Sequence, residues 1–182
     1  MTTPIRVAVL TISDAGARGE RTDTSGDAVA EWAELQGATV VARALVPDDT
    51  VEIVRCLLAW CDGDVADLVL TSGGTGLSAR DVTPEATRAV IEREATGVAE
   101  RLRVVTGATF PRASLSRGVC GVRSRTLIVN LPGSTSGVRE SLAALAPIAR
   151  HAIDILRGAV TDHSGAAVTR HDAPLASRVG SG

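Results

Sequence analysis

Val69-Leu70-Thr71-Ser72-Gly73-Gly74-Thr75-Gly76-Leu77-Ser78-Ala79-Arg80-Asp81-Val82-Thr83-Pro84-Glu85-Ala86-Thr87 decides the fold: an apolar run ends in a glycine-rich loop, a charged pair follows, and a helix starts. Asp67 to Thr71 is short and apolar between polar flanks, as a buried strand of a parallel sheet is. Three glycines in the four residues from Gly73 to Gly76 let the backbone take positive φ and turn its N–H groups toward one point, an anion-binding nest whose usual guest is phosphate. Thr83 reads as an N-cap with Pro84 at the first helical position, and Asp81 and Glu85 lie near the positive end of the helix dipole. The spacing predicts a helix over residues 83–94.

Two familiar phosphate loops do not fit. Gly74 to Ala79 formally satisfies G-x-G-x-x-A, but a dinucleotide motif follows the first strand and its helix opens within the glycines. A P-loop needs a lysine after its last glycine, and all nineteen basic residues of this chain are arginine. An ordinary glycine turn before a capped helix is the plain alternative.

Outward from this stretch, Ile5 to Ile12 reads as a buried first strand whose C-terminal end presents Thr11, Ser13 and Asp14 to the edge where open parallel sheets bind ligands. The loop from Ala15 to Ser25 reads either as a lid or as a long connection. A helix opens at Ser25 or Gly26, with Val29, Trp32, Ala33 and Gln36 on one face and Gly37 closing it. Thr39 to Val46 is the next strand. Pro47-Asp48-Asp49 caps a helix to about Cys61 with Val54, Leu57, Leu58 and Cys61 inward; one aspartate suffices as cap, leaving Asp48 either along the crevice or in solvent. A helix over residues 97–105 follows, then Val119 to Val122 and Thr126 to Val129 as strands, the first of them antiparallel to its neighbours. Asn130-Leu131-Pro132-Gly133-Ser134 makes a second polar turn. The final helix carries Val138, Leu142, Leu145, Ala149, Ile153 and Leu156 at helical spacing, with Pro147 expected to kink or restart it. Strands alternating with helices predict an α/β domain, three-layer α/β/α around a mostly parallel central sheet. The domain is read over residues 5–157 and a C-terminal tail over 158–182.

Composition narrows the chemistry. At 182 residues, 45% hydrophobic and with mean hydropathy +0.18, the chain suits one domain with a real core. No apolar run approaches the roughly 18 residues that suggest a membrane span, and Met1 to Pro4 is not a signal peptide, so a cytoplasmic protein with no membrane partner is expected. Cys56, Cys61 and Cys120 are odd in number and lack C-x-x-C spacing, so they read as buried free thiols. A net charge of −2 and three aromatic residues, Trp32, Trp60 and Phe110, argue against nucleic-acid binding. Without lysine there is no Schiff base. His151 in a late helix and His163 and His171 in the tail leave no serine-histidine-acid triad to assemble. Positive charge concentrates once, at Arg112, Arg117, Arg123 and Arg125, reading either as solvated surface or as the counter-charge for a polyanion.

Thr71-Ser72-Gly73-Gly74-Thr75-Gly76 followed by Arg80-Asp81-Val82-Thr83-Pro84-Glu85-Ala86-Thr87 resembles the signature of the MoaB/Mog molybdopterin-binding family. Ser13-Asp14, Asp23, Ser25-Gly26, Val46-Pro47-Asp48, Leu115-Ser116-Arg117 and Asn130-Leu131-Pro132-Gly133 stand in the family's order, and the resemblance runs from about Ile5 to Arg157. It implies molybdenum cofactor biosynthesis by a molybdopterin adenylyltransferase, with ATP and molybdopterin as substrates, Mg²⁺ as cofactor and a homotrimer as assembly. The product would pass to the molybdenum-inserting protein downstream. A non-catalytic molybdopterin carrier or scaffold of the same fold is the alternative.

Carried over by position, the resemblance makes Asp48 and Asp81 the catalytic carboxylates and the Mg²⁺ ligands. It assigns nucleotide and substrate binding to Ser13, Asp14, Ser72, Gly73, Gly74, Thr75, Gly76, Arg80, Thr83, Pro84 and Glu85, and further along to Ser116, Arg117, Asn130, Pro132, Gly133 and Ser134. Thr135 and Asp27 depart from the prolines common in relatives, and the first is expected to loosen one wall of the cleft.

Overall fold

Six strands form one sheet in the order β2-β1-β3-β6-β5-β4 in a computed structural model that describes residues 3–159. In chain order the elements are β1 (Arg6–Ile12), α1 (Asp14–Ala17), α2 (Thr24–Leu35), β2 (Thr39–Val46), α3 (Thr50–Asp62), β3 (Leu68–Ser72), α4 (Thr83–Val90) and β4 (Arg93–Glu94). They continue with α5 (Thr96–Gly107), a 3₁₀ turn (Pro111–Leu115), β5 (Cys120–Arg123), β6 (Thr126–Leu131) and α6 (Thr135–Leu156). The pairs β2–β1, β1–β3 and β3–β6 are parallel, so four strands end at one edge. β5 and β4 continue the sheet antiparallel, as expected for β5.

Alternation along the strands makes two cores. Val7, Val9, Leu68, Leu70, Leu127 and Val129 face α2, α5 and α6, while Ala8, Leu10, Ile12, Val69 and Ile128 face α3 and α4. The protein is therefore α/β, with helices on both sides of a mixed six-stranded sheet. Burying each of the largest core side chains, such as Leu10, Leu70, Leu145 and Ile153, stabilises the fold by about 1.5–3 kcal/mol.

Several local expectations change under tertiary contact. α4 stops at Val90 because Glu92 N–H donates to the Val122 carbonyl and Ala95 N–H to the Cys120 carbonyl, drawing residues 93–94 into the sheet as β4. Thr83 does not cap α4: its hydroxyl donates to the Gly73 carbonyl at 2.9 Å and its N–H to the Gly74 carbonyl at 3.1 Å, tying the helix start to the glycine loop. Asp49 caps α3, accepting from the N–H groups of Val51 and Glu52, and Ile53, Leu57 and Cys61 make its buried face while Val54 and Leu58 sit half-buried beside it. On α2, Val29 and Ala33 are buried but Gln36 is exposed. α6 runs unbroken through Pro147, and the Arg101 guanidinium donates to the Ala144 carbonyl at 2.8 Å in the turn before it. The loop after β1 contains α1, whose N-terminus is capped by the Ser13 hydroxyl accepting from Gly16 N–H.

At the opposite edge, where the strands begin, buried Asp67 binds Arg6 and Arg157, with Nη2–carboxylate distances of 3.0 Å and 2.6 Å. Arg157 also donates to the carbonyls of Thr3 and Pro4, clasping the two ends of the described fold. Burial works to raise the Asp67 pKa, but the hydrogen bonds from Arg157, Arg6 and the Arg6 N–H outweigh it and hold the carboxyl well below the usual range. No helix among the described residues is long and apolar enough to cross a membrane. The expected tail lies, from residue 160 onward, outside the described residues, and with it His163 and His171.

Candidate active site

The turns after β3 and β6 lie against each other where the parallel strands end. Gly73 sits at φ 104° and Gly74 at φ 62°; a Cβ on Gly73 would lie 2.2 Å from the Ile12 carbonyl oxygen, and one on Gly74 2.3 Å from the Thr83 hydroxyl. Only glycine meets both the conformation and the close approach. Gly73 N–H donates to the Leu131 carbonyl at 3.2 Å, and the Ser72 hydroxyl donates to the Pro132 carbonyl at 3.1 Å, so the two turns move as one. Gly133 approaches equally closely: a Cβ there would be 3.3 Å from the Gly73 Cα.

Carboxylates approach this loop from two sides. A Cβ on Gly74 would be 3.0 Å from Asp48 Oδ1, and one on Gly76 2.9 Å from Asp81 Oδ2. Asp48 and Asp14 exchange bonds: Asp14 N–H donates to Asp48 Oδ2 and Asp48 N–H to Asp14 Oδ1, both at 3.0 Å. Arg80 grips the Asp14 carboxylate through Nε and Nη2 at 2.8–3.1 Å, so the loops after β1, β2 and β3 are strapped together. Desolvation first, and then repulsion from Asp14 and Asp81, push the Asp48 pKa above the ordinary aspartate value, against the Asp14 N–H and Arg80. Asp81 accepts from Ser78 N–H through Oδ2 at 2.8 Å.

Two hollows open beside these carboxylates. The first, about 300 Å³, runs from Gly73, Gly74 and Asp48 toward Thr11, Ser13 and Asp23. The second, about 310 Å³, runs from Thr75 and Gly76 toward Ser116, Phe110 and Leu115. Gly74, Asp81, Gly133 and Ser134 line both, so the hollows meet at the glycine loop. Polar groups dominate the first; Phe110, Ala113, Leu115 and Pro132 give the second apolar surface.

The structure brings together Ser13, Asp48, Ser72, Gly73, Gly74, Thr75, Gly76, Asp81, Ser116, Pro132, Gly133 and Ser134 as walls of these hollows. Asp14, Arg80, Thr83, Pro84, Glu85, Arg117 and Asn130 stand behind them. Pro84 is buried in the first turn of α4. Asn130 is buried, accepting from Val119 N–H and donating to the hydroxyls of Thr71 and Thr87, which fastens β6 to its surroundings. Arg117 serves the loop: its Nε donates to the Gly76 carbonyl at 2.7 Å, its Nη2 to the Asp81 carbonyl at 2.5 Å, and its Nη1 pairs with Glu85, whose carboxyl is held below its usual pKa. Of the other expected counter-charges, Arg123 pairs with Asp62 and Arg125 donates to the carbonyls of Leu156 and Arg157, leaving Arg112 to line the second hollow. Arg21 in the first hollow and Phe110 and Glu140 in the second were not singled out from sequence. Glu140 was legible only as one turn of α6 beyond Gly137, on the face that begins at the second polar turn.

Among the described residues no group of three or more His, Cys, Asp or Glu gathers as a metal site. Asp48 and Asp81 are a pair, and each keeps one carboxylate oxygen that accepts no hydrogen bond from another described residue. That suits Mg²⁺, which takes one or two carboxylates and completes its shell with water and substrate phosphates. Cys61 and Cys120 are buried free thiols pushed up by desolvation to about 11 and about 12, and Cys56 is half-buried, so no thiolate serves the site.

The family described as "Probable molybdopterin binding domain" matches residues 8–151. The chain is 36% identical over 156 residues to the molybdopterin adenylyltransferase of Helicobacter pylori strain J99, covering 85% of this chain and 89% of that protein. It is 38% identical over 140 residues to the molybdopterin adenylyltransferase of Escherichia coli K12, covering 76% and 72%. The crystal structure of the molybdopterin biosynthesis enzyme MoaB from Thermus thermophilus is similar at TM-score 0.81 and 51% identity, over 85% of this chain and 97% of that one.

Proposed function

The chain belongs to the molybdopterin-binding domain family, and from that premise we propose that it is a molybdopterin adenylyltransferase of molybdenum cofactor biosynthesis, using ATP and Mg²⁺. The observation that carries the reading is the junction of two hollows at Gly74 and Asp81, which gives two anionic substrates separate seats and one meeting point. The polar first hollow takes the nucleotide, and the second, with Phe110 and Leu115, takes the flat pterin.

In the proposed reaction a terminal phosphate oxygen of molybdopterin attacks the α-phosphorus of ATP. The bond from that phosphorus to the oxygen bridging to the β-phosphate breaks, and pyrophosphate leaves with the electron pair. No protein nucleophile is needed, in keeping with a site that presents none of the lysine, thiolate or histidine side chains such a role would require. The main-chain N–H groups at Gly73 to Gly76 offer donors to the phosphates, and Arg117 holds the Gly76 and Asp81 carbonyls so that the loop keeps its shape under charge repulsion. Asp48 and Asp81 would hold Mg²⁺, which supplies positive charge against that growing on the leaving group. The Asp14–Arg80 strap sets the position of Asp48. The homotrimer, a cytoplasmic setting and delivery to a molybdenum-inserting protein belong to the same proposal.

Purified protein incubated with molybdopterin, ATP and Mg²⁺ should release pyrophosphate and form adenylylated molybdopterin, and Asp81→Asn should abolish both. Pterin binding without pyrophosphate release would instead establish the carrier reading. Sedimentation equilibrium tests the trimer.

A further inference from the structure

The second hollow holds two charged side chains that the rest of the molecule leaves unused. Arg112, from the 3₁₀ turn, and Glu140, from α6, both line it, and neither makes an ion pair or side-chain hydrogen bond with any described residue. Most of their neighbours are already engaged. Asp81 accepts from Ser78 N–H, and the Thr106 hydroxyl donates to the Leu102 carbonyl. Arg139, next to Glu140 in sequence, turns instead to Glu31 at 2.7 Å. Between the two free charges stands Phe110, half exposed at 50%, with a ring face free for a planar guest. A hollow that exposes an acceptor-only carboxylate, a donor-only guanidinium and an aromatic face suits a flat heterocycle with donors on one edge and negative charge elsewhere.

Resting on the pterin reading above, we propose that Glu140 recognises the 2-amino-4-oxo edge of the pterin ring and that Arg112 supplies the counter-charge for the ligand's anionic end in the same hollow. The pterin edge presents an amino N–H beside a ring N–H, both donors, and a carboxylate has two oxygens spaced to accept from both. Arginine cannot accept, and a serine or threonine hydroxyl offers a single neutral oxygen. Hydrogen bonds to a charged partner are the strong ones, and a carboxylate left without its donors after losing water penalises the wrong ring. Glu140 is therefore a specificity determinant and Arg112 a contributor to affinity without ring preference.

The test measures binding by the full chain of two fluorescent probes, 6-hydroxymethylpterin phosphate and its lumazine counterpart, in which a carbonyl replaces the 2-amino group. The unaltered protein should prefer the pterin by about 10- to 100-fold. Glu140→Gln should bring that ratio close to one by weakening the pterin alone, and Glu140→Asp should retain the preference with weaker binding. Arg112→Ala should weaken both probes by a similar factor, about tenfold, and leave the ratio unchanged. Far-ultraviolet circular dichroism and melting report folding of each variant. A pterin-to-lumazine ratio unchanged in Glu140→Gln overturns the Glu140 assignment while leaving the pterin reading standing. Unchanged affinity in Arg112→Ala overturns the role of Arg112. If the unaltered protein binds neither probe, the pterin reading itself falls and this inference with it.

Discussion

Replacing Gly73 by alanine should damage stability and activity together, and Gly37→Ala is the control that separates the causes. Both glycines have positive φ, 104° for Gly73 and 66° for Gly37. Around Gly37 an added Cβ meets nothing within 4 Å, so only the backbone conformation is penalised, by about 1–2 kcal/mol. At Gly73 the same atom would stand 2.2 Å from the Ile12 carbonyl oxygen, a main-chain atom at the end of β1 that cannot swing aside. The conformational cost of about 1–3 kcal/mol is joined by a steric cost of similar size, for a total of about 2–6 kcal/mol. For a chain of this length that lowers Tm by roughly 4–20 °C, against about 2–8 °C for Gly37→Ala.

Function is hit harder, because the loop can relieve the collision only by lifting away from Ile12 and carrying its N–H groups with it. A misplacement of about 1 Å is enough to slow a reaction about 100-fold. Urea unfolding and pyrophosphate release, measured on the same preparations, make the comparison. Equal destabilisation by the two substitutions, with activity retained in Gly73→Ala, would refute the close-approach argument.

Asp67→Asn leaves Arg6 and Arg157 without their buried acid and should cost about 3–5 kcal/mol at neutral pH. Because the folded pKa of Asp67 is depressed, its contribution is complete above the unfolded value near 4 and fades as pH falls below it, so wild type and variant should converge in urea titrations carried toward pH 2. Arg117→Lys keeps the charge but cannot reach the Gly76 carbonyl, the Asp81 carbonyl and Glu85 together, so turnover should fall at least tenfold while circular dichroism stays native. In native protein at pH 8, Cys61 and Cys120 should resist thiol reagents that modify all three cysteines in denaturant; rapid labelling of Cys120 would contradict its burial.

Strand positions, the parallel order of the first strands and the glycine loop were legible in sequence because they rest on local pattern: β-branched runs, three clustered glycines and the caps at Asp49 and Ser134. What escaped depends on residues distant along the chain. The end of α4 is set by β5, thirty residues away, and no helical periodicity announces it. The jobs of Thr83, Arg117 and Asn130 follow from carbonyls and hydroxyls on other elements, so motif position marked them as important without distinguishing contact with a ligand from support of the loop. Glu140 lay hidden among ordinary surface glutamates until the fold placed it beside Phe110 and Ser116.

The clasp of Asp67, Arg6 and Arg157 draws Thr3, Pro4 and the end of α6 to the side of the sheet where strands begin, while Gly74 and Asp81 occupy the side where they finish. An affinity handle or second enzyme joined genetically at either extremity would thus emerge behind the catalytic mouth and leave its entrance clear. A short peptide linking residue 157 back to residue 3 should likewise allow the chain to be reopened elsewhere, for instance at the exposed turn around Gly63, without disturbing either hollow.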